Sequence, residues 1–144
     1  MPGMSNPFVY YRLDSMKDLR HFTNGAVREL DWRKDLAVIQ KFYARFTDVP
    51  VHPDEFDQTA GAPLAIMNGN EIVCFTIPFS FHEGETEIGG VATLPEQRNK
   101  GFCKALISEA AFRILSSGKA AVLTTERTNA PMRAAAGAIG MREI

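Results

Sequence analysis

The chain has 144 residues, with 16 Lys and Arg against 17 Asp and Glu and a formal net charge of −1. That length suits one compact domain over residues 1–144, and a composition 45% hydrophobic and 23% charged is that of an ordinary globular chain. So small a net charge gives no basis for nucleic acid or an anionic membrane as a partner.

The opening stretch MPGMSNPFVYYRLD lacks the basic and then apolar pattern of a signal peptide, and no run is long and apolar enough to span a bilayer. Two cysteines, Cys74 and Cys103, cannot build a disulfide framework; a reducing, cytoplasmic compartment fits them best. Phe8-Val9-Tyr10-Tyr11-Arg12-Leu13 is aromatic and β-branched, a first strand. Asp14 or Ser15 then caps a short helical piece over Met16 to Phe22, closed by Thr23-Asn24-Gly25. From Asp31 to Phe46 the residues Leu36, Ile39, Tyr43 and Phe46 recur at helical spacing, with Asp31 as the cap. Residues Asp48 to Pro63 read as a loop holding one helical turn near Asp54 to Thr59.

A hairpin follows: Leu64 to Met67, the turn Asn68-Gly69-Asn70, and a long return strand from Glu71 to Phe81. Pro78 cannot donate to a ladder and marks a bulge or an edge there. Next comes Glu87 to Ser117, EIGGVATLPEQRNKGFCKALISEAAFRILSS. Gly89-Gly90 inside its strand signals a bulge or a close approach by another backbone or a ligand. After Leu94-Pro95 a turn runs through Arg98-Asn99-Lys100-Gly101 into a helix with Leu106, Ile107, Ala110, Ala111 and Ile114 on one face. Free N–H groups and the positive dipole end at that helix start can hold an anion, and Gly101 lets the backbone come close. Lys100 and Lys104 add charge at the rim. The stretch reads as a phosphate cradle. It matches neither the GxxxxGK[ST] nor the GxGxxG pattern, which excludes those two nucleotide loops. Gly118 closes the helix, Ala120 to Thr124 is a short buried strand, and Thr128-Asn129-Ala130-Pro131 opens a last helix that ends at Gly140.

Arg98 and Gly101, between a bulged strand and an amphipathic helix, resemble the Arg/Gln-x-x-Gly-x-Gly/Ala signature of the GNAT superfamily of N-acetyltransferases. Cys103 stands where that signature has Gly or Ala. The likeness runs from about Leu64 onward and is nearest a subgroup with Thr-Leu-Pro before the cradle. It implies an α/β fold: a mixed sheet with helices on both faces, in the order β-α-α-β-β-β-α-β-α-β. Only three residues follow Gly140-Met141, so either the sheet is smaller or a neighbouring chain completes its edge, which favours a homodimer.

The same resemblance implies acetyl-CoA as co-substrate, with no metal. Val91, Ala92 and Thr93 would pair with its pantetheine arm, and Arg98, Asn99, Lys100, Gly101, Phe102, Cys103 and Lys104 would cradle its pyrophosphate. Asn129 would contact the cofactor arm, or else cap its helix. Glu87 lies eleven positions before Arg98, the offset of the catalytic glutamate in the histone-acetyltransferase branch. It would act as general base, or stand as a solvent-facing carboxylate at a strand end. Many members place a tyrosine seven residues after the asparagine; here that position is Ala136. Thr125, Thr128 or water would then protonate the leaving thiolate, or it leaves unassisted.

His21, His52 and His82 have no metal-ligand spacing. Cys103 has no partner signature for a nucleophile and reads as a small packing residue. Asp31-Trp32 lines an acceptor pocket or simply caps its helix. Two functions follow: N-acetylation of a small-molecule or peptide amine, or a CoA-binding module without catalysis.

Overall fold

The computed structural model describes residues 6–52, 54 and 59–144. The first aromatic run forms strand β1, Phe8–Leu13. In place of a helix over residues 16 to 22 there is a single 3-10 turn at Met16–Asp18, capped by Ser15, whose Oγ accepts from the Lys17 N–H at 3.3 Å. The helix does not extend because distant partners take its backbone groups. The Arg20 N–H donates to the Ile139 carbonyl at 2.9 Å, and the Phe22 N–H donates to Ser108 Oγ at 3.0 Å. A three-residue strand β2, Val27–Glu29, follows and has no counterpart in the sequence reading.

Asp31 does act as a cap: its Oδ1 accepts from the N–H groups of Arg33 and Lys34 at 2.9 and 2.8 Å. What it caps is a leading turn, so helix α1 proper spans only Leu36–Tyr43. The turn expected near Asp54 to Thr59 lies, apart from its two ends, outside the described residues.

Strands β3 (Leu64–Asn68) and β4 (Glu71–Ser80) form the expected hairpin, with Gly69 at φ +61°. Strand β5 (Glu85–Thr93), helix α2 (Phe102–Ser116), strand β6 (Ala120–Glu126), helix α3 (Ala130–Ala138) and a two-residue strand β7 (Arg142–Glu143) complete the chain. One seven-stranded sheet results, in the order β2-β3-β4-β5-β6-β1-β7. Its pairs are antiparallel except β5 with β6. Pro78 lies beyond the terminal β3–β4 pair, Leu64↔Thr76, so its missing N–H interrupts no β3–β4 bond.

At this end of the sheet the expectation of a smaller sheet is corrected. Strand β1 inserts between β6 and β7, pairing with β6 from Phe8↔Glu126 to Leu13↔Ala121. The chain's own first strand thus lies inside a seven-stranded sheet, and the two-residue β7 stands at its edge. Helices lie on both faces. On one, Phe75 packs against Trp32, Phe42 and Tyr43 at ring separations of 5.6 to 6.0 Å. On the other, Thr76, Thr86 and Ile88 line one cavity together with Ala110 and Ile114 of α2. Helix α3 shares the α2 side, where Arg133 Nε donates to the Tyr11 hydroxyl at 3.0 Å.

Both helix ends after the cradle follow local rules. Gly118, at φ +86°, closes α2 in a Schellman pattern: its N–H donates to Leu115 and that of Lys119 to Ile114. Gly140, at φ +101°, ends α3, and a Cβ there would overlap the Asp18 carbonyl oxygen.

Candidate functional site

The site begins with a mismatch between two strands. From Phe75↔Ala92 to Ile77↔Gly89, two steps along β4 face three along β5, so β5 carries one extra residue. Gly90 absorbs it at φ +54°, a conformation that side chains resist. Gly89 is glycine for another reason: the Phe79 ring lies where its Cβ would be. Thr76 Oγ1 donates to the Gly89 carbonyl at 2.7 Å and fixes the bulge from the α2 side.

On the other side of β5 the sheet forks. Strands β5 and β6 pair only over Glu85↔Ala120, Thr86↔Ala121 and Glu87↔Val122. Beyond Glu87 they diverge, and the arm Val91-Ala92-Thr93 turns toward a cleft instead of a strand partner. The cleft has a volume of about 910 Å³. Its far wall is the start of α2, where Asn99 and Gly101 both take positive φ, 63° and 83°. Gly101 occupies the cap position and brings no side chain to it. The N–H groups of Phe102, Cys103 and Lys104 therefore have neither an intrahelical acceptor nor a side-chain cap. Asn24 holds the loop from behind, donating from Nδ2 to the Lys100 carbonyl.

Of the residues assigned to the cofactor from sequence, Val91, Ala92, Thr93, Arg98, Asn99, Gly101, Phe102, Cys103, Lys104 and Asn129 all line this one cleft. Lys100 does not; its Nζ donates to Gln97 Oε1 at 3.1 Å. Arg98 lines it while its Nε donates back to the Thr93 carbonyl at 3.3 Å, and Lys104 Nζ sits 4.3 Å above the Phe22 ring. Asn129 does two things: it lines the cleft and caps α3, its Oδ1 accepting from the Met132 N–H at 3.2 Å. Phe46, Pro131, Met132, Ala134, Ala135 and Ala138 also form the lining, and no motif announced them.

Glu87 is not in that lining. It is the last β5 residue paired with β6, so it stands at the apex of the fork, and its carboxylate makes no hydrogen bond or ion pair with any described residue. Among the described residues, no group of three or more His, Cys, Asp or Glu is placed to hold a metal, and no helix is long and apolar enough to cross a membrane.

A bulged strand, a forked parallel pair and an uncapped helix start around one cleft form a specific combination. The sequence profile of the acetyltransferase (GNAT) family matches residues 25–141. The chain belongs to the GNAT family of acetyltransferases. Solved structures share its fold: a GNAT-family protein from Novosphingobium aromaticivorans has a TM-score of 0.77 at 16% identity over 95% of this chain and 59% of that one. An acetyltransferase of the family from Colwellia psychrerythraea gives 0.73 at 12%, over 94% and 52%. The ribosomal-protein-S18-alanine N-acetyltransferase from Escherichia coli gives 0.64 at 18%, over 80% and 76%. This chain therefore spans between half and three fifths of the first two proteins. No curated protein matches it by sequence.

Within this GNAT domain, Ala136 is fully buried and α3 presents no hydroxyl there. Thr125 is buried beside β1 and Thr128 is exposed. Burial pushes the Cys103 thiol up to about 12, with a smaller contribution from Cys74 nearby, so it stays protonated and fills space. That agrees with a packing residue at the position where the signature has Gly or Ala.

Proposed function

We propose that this GNAT domain transfers the acetyl group of acetyl-CoA to a primary amine by direct attack within a ternary complex. One observation carries the reading: the uncapped start of α2 and the freed edge of β5 face the same cleft. An anionic diphosphate satisfies the first, through the N–H groups from Gly101 to Lys104. An amide-bearing arm satisfies the second, through the backbone of Val91, Ala92 and Thr93, and a backbone N–H there would polarise the thioester carbonyl. The residues fit such a ligand, since a glycine at φ +83° leaves the approach to the helix end open.

Glu87 at the fork apex is the base in this reading. It takes a proton from the amine, the nitrogen bonds to the thioester carbon, and the carbon–sulfur bond breaks. The thiolate then takes a proton from water, which its modest basicity allows. Ala136 supports a second reading, a CoA-binding module without catalysis, because the buried methyl cannot donate a proton. Release of free thiol from acetyl-CoA in the presence of amines separates the two. Acceleration by an amine that is lost in Glu87→Gln supports transfer. Binding of acetyl-CoA without acceleration by any amine supports the module.

A further inference from the structure

The cleft takes its ligand from the side of α2 and α3. The opposite face of the sheet, at the same fork, is built differently. Directly paired residues on neighbouring strands share a face, so Phe79↔Glu87, Glu87↔Val122 and Val122↔Arg12 form one continuous row across β4, β5, β6 and β1. The next row along β6 adds Thr124↔Tyr10, and the end of β1 adds Phe8↔Glu126. This is the face that carries α1, but α1 covers it over Phe75, and Phe79, Glu87, Thr124 and Tyr10 remain partly accessible. The Phe79 ring leans over Gly89 toward the fork.

Its polar groups are one-sided. Glu87 and the Tyr10 hydroxyl have no hydrogen-bond partner among the described residues. The row runs on to Arg142 of β7, and its two cations are both held: Arg12 by Glu85 and by Asp14 at 2.7 Å, Arg142 by Asp14 at 3.0 Å. An aromatic and aliphatic floor with free carboxylate and no free cation fits a cation on an apolar body and repels an anion.

We infer that the acceptor is a primary amine on an apolar, preferably aromatic, body without a carboxylate, seated on this face between Phe79, Glu87 and Tyr10. The inference rests on the cleft being the acetyl-CoA site, since the amine then reaches the fork from the face the thioester does not enter. It excludes the α-amine of a free amino acid, whose carboxylate would meet Glu87 with no cation to receive it.

The test is calorimetric titration of 2-phenylethylamine and of phenylalanine into the full chain, with and without saturating CoA, so that no turnover intervenes. The expected result is affinity for 2-phenylethylamine at least about tenfold above that for phenylalanine, reduced about tenfold in Glu87→Gln and several-fold in Tyr10→Ala. Equal or tighter binding of phenylalanine, no binding of 2-phenylethylamine, or unchanged affinity in both variants overturns it. A separate titration of CoA alone reads the cleft: if CoA is not bound, the transfer reading fails, while the amine titrations still decide what this face selects.

Discussion

Gly101 combines two properties that no other residue supplies together: a left-handed backbone at φ +83° and an empty cap position. Replacing it with Glu would set a carboxylate against the N–H groups that an anion needs. Gly101→Glu should therefore weaken CoA binding by at least tenfold in calorimetry, whereas Gly101→Asn, which tolerates that backbone, should retain more of the affinity. Glu87 tests the chemistry separately. Glu87→Gln should lower kcat by roughly 10²-fold and leave the CoA Kd unchanged, because Glu87 lies outside the cleft lining. The buried Cys74 and the half-buried Cys103 and Tyr43 set a pH limit as well. Burial raises Cys74 to about 11 and Cys103 to about 12 from 9.0, and Tyr43 to about 12 from 10.0. Folding favours their neutral forms, so the stability they contribute is intact below about pH 9 and is lost as pH rises toward 12. Thermal unfolding followed from pH 8 to pH 11 should show a falling midpoint, and Cys103→Ala should make that fall shallower.

At the scale of elements, the stretch from β5 through α2 was legible because its signals are local. Paired glycines, a turn and a 3.6-residue apolar period each lie within a few residues of what they specify, and Leu106, Ile107, Ala110, Ala111 and Ile114 are all buried as the period requires. The stretch from Met16 to Phe22 misled because its backbone partners, Ile139 and Ser108, are more than eighty residues away. The same long range hid the role of Gly140. It reads as a helix stop, yet it also admits the Asp18 carbonyl against the end of α3. Gly140→Ala should therefore cost more than a left-handed strain alone, at least about 2 kcal/mol, and lower Tm by several degrees. Gly118→Ala, with open space around it, should show only the strain.

For the whole molecule, what the sequence could not convey was which strands become neighbours. Strand β1 was recognisable from Phe8 to Leu13, but nothing within it says that it lies between β6 and β7. That placement gives β6 a partner from its own chain and carries Tyr10 and Arg12 to the fork. The acceptor side proposed above is consequently assembled from three segments that are far apart along the chain, β1, β4–β5 and β6, and has no motif to find. The cleft proposed for the cofactor was readable because much of its lining is one continuous stretch, Val91 to Lys104, joined by Asn129.

A crystal structure of the chain with CoA at saturating concentration tests the account most directly. The diphosphate should accept hydrogen bonds from the backbone N–H groups between Gly101 and Lys104, with the arm lying along Val91, Ala92 and Thr93 and the thiol pointing to the fork at Glu87. An unfilled cleft at that concentration, or CoA held elsewhere on the chain, would contradict it.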